Sequence, residues 1–393
     1  MKKALIIGAS ILQMPAILKA KELGYYVGAV DYNPKAEGIP YADEFFNVST
    51  IDIEGVVRTA KEFRPDVILT LATDKPMRAV AAACEALGLP GISSETALKA
   101  TDKGAMIRAF EANGVEHPWY LLIPGPEAMK EHTATVRYPC VVKPTDNAGS
   151  RGVVLCRNEA ELLSGYEYAR SESYGGEVII EEYLEGPEFS VEVMVVDGEP
   201  KVLQITDKLT TGAPHFVEMG HSQPTRQPAE VRKKISDLAI RACRAVGITV
   251  GPAHVEIILT QNGPVMVELG ARMGGDCIAT HLVPLSSGID MVGAAILLAA
   301  GGTAELSPKK EKGCAIRYFR TPAGILRSIE GVEKAKSLPG IRNISFVHKV
   351  GERISEVDSS TDRIGFVIAS GETAQEAVEA CEKALGMITI HVA

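Results

Sequence analysis

The sequence is poor in aromatic rings and has no surplus of positive charge. Aromatic residues make up 5% of it, with a single Trp, and 41 Lys and Arg face 50 Asp and Glu, a formal net charge of -9. That balance argues against nucleic acid as the main partner, so any anionic ligand must be met by local lysines and arginines. No apolar run reaches the roughly 20 residues that span a bilayer; the longest, around Met291 to Ala300, reads as a buried helix. The seven cysteines (84, 140, 156, 243, 277, 314 and 381) are odd in number, scattered and never spaced C-x-x-C. This fits reduced structural thiols in a cytoplasm. The opening MKKALIIGAS breaks at Gly8, too early for a signal peptide, and reads as a first strand. There is no tandem repeat, no low-complexity tract, and no Ser-His-Asp or Cys-His arrangement that would point to a covalent enzyme intermediate.

What is present is an ordinary globular composition, 46% hydrophobic and 23% charged, over 393 residues, a length that suits two or three domains. Residues 1 to 95 alternate strand and helix: strands at Ala4 to Ile7, Tyr25 to Val30, Phe45 to Val48 and Val67 to Leu71, with Ile53, Val56, Val57, Ala60 and Phe63 on one helical face. Such alternation predicts a parallel sheet covered on both sides. Gly8, Ser10 and Gln13 stand where a dinucleotide fingerprint would have its glycines, so a tight strand-to-helix turn is the plainer reading, still placed where a substrate cleft could open.

The centre of the chain carries the chemistry. In YPCVVKPTDNAGSRGVV a strand delivers Lys143, and Asn147-Ala148-Gly149-Ser150-Arg151-Gly152 opens into a loop before a second strand, Val153 to Leu155. Small residues let backbone N–H groups approach phosphates closely while a lysine meets their charge. The loop lacks the P-loop's terminal Gly-Lys-Ser/Thr. Upstream, Lys103 lies near the start of a helix, where the dipole disfavours it; it is there either for a ligand or simply solvated. Downstream, EEYLEGPE packs Glu181, Glu182, Glu185 and Glu188 around a turn, as a solvated edge or as acceptors for ribose hydroxyls.

After an amphipathic helix from Ala229 to Gly247, Gln261-Asn262-Gly263 joins two strands that each carry one acid among apolar residues, Glu256 in HVEIIL and Glu268 in VMVELG. A buried carboxylate is costly unless compensated. Two on adjacent strands facing one cleft suit Mg²⁺ bridging nucleotide phosphates; the alternative is an outward solvated pair. Gly270-Ala271-Arg272-Met273-Gly274-Gly275-Asp276 then sets an arginine in a Gly-rich loop, suited to a transferring phosphoryl group. From Gly313 strands dominate, with one helix from Thr373 to Leu385, the pattern of an α+β closing module.

Taken in order, Lys103, YPCVVKP with its loop, IIEEYLEGPEFSVE, Glu256, Glu268 and Arg272 resemble the ATP-grasp ligase family over roughly the first 300 residues. AIRYFRTPAGILRSIEG and DRIGFVIASGETAQEAVEA resemble the carboxyl-terminal domain of the bacterial L-amino-acid ligases, which join amino acids into dipeptides. The resemblance implies an α/β and α+β architecture: a Rossmann-like parallel-sheet domain (1–95), an ATP-grasp region (96–312, with a flap subdomain at about 115–185) and a closing domain (313–393). It implies ATP and Mg²⁺ as cofactors, with Mn²⁺ as an alternative ion. Lys103 and Lys143 then hold ATP phosphates and neutralise charge on the moving phosphoryl group, Lys143 as a catalytic residue. Asn147 to Gly152, including Gly149, Ser150 and Arg151, is the flap. Glu181, Glu182, Tyr183 and Leu184 read adenine through their backbone, Glu188 accepts from ribose, His221 lies near sugar and phosphates, Glu256 and Glu268 bind metal, and Arg272 steadies the acyl phosphate. One departure is Gly270, where many members have Asn as a further metal ligand.

The expected partners are a small-molecule carboxylate and an amine, in a cytoplasmic enzyme compatible with a homodimer, with no nucleic acid and no membrane. A ligase or carboxylase acting on another metabolic carboxylate or bicarbonate is the enzymatic alternative, and a non-catalytic nucleotide-binding protein the other.

Overall fold

The computed structural model describes residues 1–149, 151–213 and 216–393. Strands β1 (Lys3–Ile7), β2 (Tyr26–Val30), β3 (Glu44–Phe46) and β4 (Val67–Leu69) form a parallel sheet in the order β3-β2-β1-β4. Its strands read as continuous apolar runs because both faces are covered. Ala4 and Ile6 pack into one core, Leu5 and Ile7 into another. Helix Ile53–Phe63 starts where Asp52 accepts from the Gly55 N–H, and it turns Val56, Ala60 and Phe63 inward. The order reverses beside β1, so a crevice opens past the ends of β1 and β4. There Gly8 (φ +104°) makes the tight turn, and the Asp31 carboxylate accepts from the N–H groups of Ala9 and Asn33. That side chain serves the turn.

Four antiparallel strands follow, β5 (Tyr120–Ile123), β6 (Cys140–Pro144), β7 (Val154–Cys156) and β8 (Val178–Glu182), ordered β5-β8-β6-β7 and covered by helix Glu159–Glu172. The hinge after β8 leads into the main sheet: β9 (Glu188–Val196), β10 (Glu199–Thr210), β11 (Glu218–Gln223), β12 (Gly251–Thr260) and β13 (Gly263–Gly270). β10 and β11 were not foreseen as strands. Helix Ala229–Val246 buries Ile235, Leu238, Ala239, Ala242 and Val246 against this sheet and stops at Gly247 in the left-handed region.

The carboxyl-terminal strands are β14 (Gly313–Tyr318), β15 (Gly324–Glu330), β16 (Ile341–Phe346), β17 (Arg353–Ile354), β18 (Gly365–Gly371) and β19 (Thr389–Val392). Three of them continue the main sheet, whose order is β13-β12-β9-β10-β11-β14-β18-β16, while β17, β15 and β19 make a small sheet. Pairing of β11 with β14 (His221 opposite Ile316) covers what would otherwise be an exposed edge. Helix Met291–Ala299 is buried between modules, as its composition predicts. Among the described residues no single helix is long and apolar enough to cross a membrane.

Candidate active site

Strand alternation decides what faces the cleft. In β9 Phe189, Val191 and Val193 enter the core under helix Ala229–Val246, which leaves Glu188, Ser190 and Glu192 on the other face. The register carries that face across the sheet: Ser190 is opposite Glu256 on β12, which is opposite Glu268 on β13, and Glu192 is opposite His254. On the far side Lys208 of β10 lies opposite His221 of β11. One face of one sheet thus holds a row of charged side chains.

Each finds a partner of opposite sign. Lys103 begins helix Lys103–Ala112, capped by Asp102; its backbone N–H donates to the Thr145 carbonyl, and its Nζ reaches the Asn147 carbonyl at 2.8 Å and Glu268 at 3.1 Å. The helix start and the loop after β6 are therefore tied together. Lys143, buried on β6, pairs with Glu181 of β8 at 2.5 Å. Lys208 pairs with Glu188 at 2.5 Å and with Glu256 at 3.2 Å. Burial works against the charge on Lys208, yet its carboxylates hold the ammonium well above its ordinary pKa. Glu256 is likewise penalised by burial, but Lys208, His254 and Arg272 outweigh this and keep it well below the usual carboxylate range.

His254 bridges two acids, Nδ1 to Glu192 at 2.5 Å and Nε2 to Glu256 at 3.2 Å. Burial lowers its pKa, but Glu192 and Glu256 prevail and raise it to about 9. Glu192 also accepts from the Gly274 N–H at 3.1 Å, and a Cβ at position 274 would lie 2.6 Å from that carboxylate. The Gly-rich loop therefore rests on this pair.

Arg272 makes a two-pronged contact with Asp74, at 2.9 and 2.8 Å, at the crevice of the first sheet. At the other end of the same loop Asp276, in the left-handed region (φ +50°), accepts two bonds from Arg363 at 2.7 and 2.6 Å and lies 3.1 Å from His221 Nε2. The Arg363 guanidinium lies 3.8 Å from the centre of the Tyr318 ring. Burial opposes the charge on Asp276, but His221 and Arg363 hold its carboxyl far below the ordinary range.

The loop after β6 has Gly149 and Gly152 at positive φ, and a Cβ on Gly152 would strike Pro144 and Glu172. The Asn147 side chain donates to the Glu172 carbonyl, and Arg151 is exposed, donating to the Ala148 carbonyl. Ser150 lies outside the described residues. At the hinge, the N–H groups of Glu182 and Tyr183 donate to the carbonyls of Trp119 and Pro139, Tyr183 sits 6.2 Å from the Phe216 ring, and Leu184 is half-buried. A narrow cleft beside them is lined by Lys103, Met106, Phe110, Glu181 and Met266 among others.

Among the described residues no group of three or more His, Cys, Asp or Glu forms a ready metal cage. Glu256 and Glu268, paired in register, nevertheless fit a hard cation that completes its shell with phosphate oxygens and water. Position 270 offers no third donor: a Cβ there would meet Asp74 at 2.5 Å.

Sequence reasoning passed over Lys208, His254, Glu192, Asp74 and Arg363. The alternation His254-Val255-Glu256 held a signal, since residues two apart share a face. Asp74 follows the fourth strand, in the crevice where open α/β sheets take ligands. Lys208 and Arg363 have no local signal, because their partners come from other strands.

The ATP-grasp domain family matches residues 136–280, and L-amino acid ligase C-terminal domain 2 matches residues 317–393. The solved L-amino acid ligase of Bacillus licheniformis is 23% identical with a TM-score of 0.86, covering 100% of this chain and 99% of that one. The alanine–anticapsin ligase of Bacillus subtilis is 27% identical over 291 residues, 68% of this chain and 61% of its own length. The formate-dependent phosphoribosylglycinamide formyltransferase of Ignicoccus hospitalis is 25% identical over 417 residues, 99% of this chain and 96% of that protein. The chain thus carries an ATP-grasp domain and an L-amino acid ligase C-terminal domain, and its fold is shared with the solved L-amino acid ligase.

Proposed function

We propose that this protein is an ATP-dependent carboxylate–amine ligase that joins amino acids into a dipeptide, releasing ADP and phosphate. The observation that carries the reading is the shared cleft: Glu256 and Glu268 lie in register on one sheet face, Lys103 and Lys143 line its flap side, and Arg272 follows in the loop leaving β13. MgATP supplies the phosphoryl group that turns a carboxylate into an acyl phosphate with a good leaving group. Glu256 and Glu268 hold the metal, Lys103 and Lys143 meet phosphate charge, and the Asn147–Gly152 loop excludes water. Arg272, held in place by Asp74, turns its remaining guanidinium N–H groups to the developing oxyanion. The amine nitrogen then attacks the acyl carbon, phosphate leaves, and the amine gives up a proton. In this division of labour residues 1–95 and 313–393 flank the catalytic region 96–312 and contribute Asp74 and Arg363 to it.

The test is a pairwise scan of the twenty amino acids with MgATP, following phosphate release, the nucleotide product and the peptide by mass. The expected outcome is ADP and phosphate only when both partners are present. AMP and pyrophosphate would overturn the acyl-phosphate route. The likeness to the formyltransferase over nearly the whole chain favours a second reading, a ligase for another small carboxylate such as formate or for bicarbonate. Turnover with those substrates but with no amino-acid pair would select it.

A further inference from the structure

One buried cation has no part in the chemistry above. Lys208 comes from β10 with its side chain 3% exposed, and its ammonium lies 2.5 Å from Glu188 of β9, 3.2 Å from Glu256 of β12 and 3.7 Å from Glu218 of β11. A single positive charge therefore joins carboxylates from three other strands, one of them proposed for ribose and one for the metal. A buried ammonium is tolerated only with such compensation, and three carboxylates around one point repel one another without it. Beside this group Ser190, fully buried and in register with Glu256 on the same face, has a hydroxyl with no hydrogen-bond partner within the protein. The floor of the site thus has polar capacity beyond its own ion pairs.

We infer that Lys208 is an internal counter-cation for the nucleotide site. It holds Glu188 and Glu256 in place before nucleotide arrives, then gives them up to the ribose and the metal and turns its ammonium to the phosphate oxygens. Lysine suits this task because its ammonium is a point charge on a flexible stem, with three donors that can be re-aimed; a planar guanidinium would be fixed to one partner. His254 has a second anchor in Glu192 and can stay behind. The consequence is a coupling. A divalent ion alone cannot displace Lys208 without leaving a buried ammonium under-compensated beside a second cation, whereas an ion that comes with a triphosphate brings the oxygens Lys208 needs. Metal and nucleotide therefore bind together.

This inference rests on the nucleotide-binding reading and is tested without turnover. Free Mn²⁺ is titrated by electron paramagnetic resonance into the whole protein, with and without a non-hydrolysable ATP analogue, for the parent, Lys208→Met and Lys208→Gln. The parent is expected to bind Mn²⁺ at least about tenfold more tightly with the analogue than without, within the usual range for linked sites. In the variants Mn²⁺ alone gains about tenfold in affinity and raises the melting temperature, so that the linkage shrinks. Unchanged affinity for Mn²⁺ alone in a folded variant would overturn the proposal. So would equal affinity with and without analogue in the parent, which decides the matter should neither variant fold. A parent that binds no nucleotide under any metal condition would instead sink the reading under Proposed function.

Discussion

The strand floor and the Gly270–Asp276 loop solve the same electrostatic problem with different side chains. On the floor the cations are two lysines and a histidine: Lys103 against Glu268, Lys208 against Glu188 and Glu256, and His254 between Glu192 and Glu256. In the loop they are arginines, each making two bonds to one aspartate: Arg272 to Asp74 and Arg363 to Asp276. A lysine is a movable point charge, and an arginine–carboxylate fork fixes direction as well as charge. The floor is thus suited to exchanging cations, and the loop to being positioned by the modules that flank it, through Asp74 on one side and Arg363 on the other.

The largest expected effect breaks the fork nearest the chemistry. Arg272→Lys keeps the charge and loses the second prong, so the maximal rate should fall roughly 10²- to 10³-fold, as for the loss of one preorganised donor. ATP-analogue binding should stay at the parent value. A raised ATP constant with an intact maximal rate would make Arg272 a nucleotide ligand and erase the distinction between loop and floor.

The fork at the far end should register in stability. Arg363→Met leaves Asp276, whose side chain is 23% exposed, with His221 as its remaining side-chain hydrogen-bond partner. Breaking a buried pair from one side should cost about 3 kcal/mol in urea unfolding. Because the two residues act as one unit, Arg363→Met combined with Asp276→Asn should cost less than the sum of the single changes. Additive losses would mean that the fork does not hold the loop.

The floor should instead show itself in pH. His254 is raised to about 9 against an ordinary 6.5, burial opposing the shift and Glu192 and Glu256 driving it. A folded-state value above the unfolded one stabilises fully below about pH 6.5 and is lost as pH rises to about 9. In EDTA, unfolding free energy should therefore fall by up to about 3 kcal/mol between those limits. His254→Gln should flatten that fall, and a variant with the parent's slope would place the titration elsewhere.

How much of this was legible follows from how local each signal is. The parallel sheet, the Gln261-Asn262-Gly263 hairpin and the helix ending at Gly247 could be read because each strand, turn and helix in them carries its pattern in its own short stretch of sequence. The facing of Glu256 and Glu268 followed from the same hairpin. Strand β10 did carry a signal, since Leu203, Ile205 and Leu209 alternate with Gln204, Thr206 and Lys208, whereas β11, EMGHSQ, has almost no apolar residue to alternate. Lys208 and Arg363 were invisible for a related reason: their meaning lies in partners that only sheet order brings near.

The smallest effect tests the departure at Gly270. Its backbone does not require glycine, since it is absent from the positive-φ positions; what glycine supplies is room. A Cβ there would stand 2.5 Å from Asp74 Oδ1 and 3.0 Å from Arg272 Nε, so a side chain at 270 and an intact fork compete for one space. Asp74 ends in a side-chain carboxylate that can turn aside by the roughly 1 Å needed for ordinary contact, so Gly270→Ala should fold and bind nucleotide. The fork would loosen, and a rate loss of roughly tenfold, or about 1.4 kcal/mol, is expected. If the loss runs through the fork, Gly270→Ala should cost little more in an Asp74→Ala background. The same geometry predicts that Gly270→Asn gives no gain in Mn²⁺ affinity, because its side chain must first displace Asp74. A parent-like rate for Gly270→Ala would mean that Asp74 has already released Arg272 before the slow step, and the loop would then be held during turnover by its Asp276 end alone.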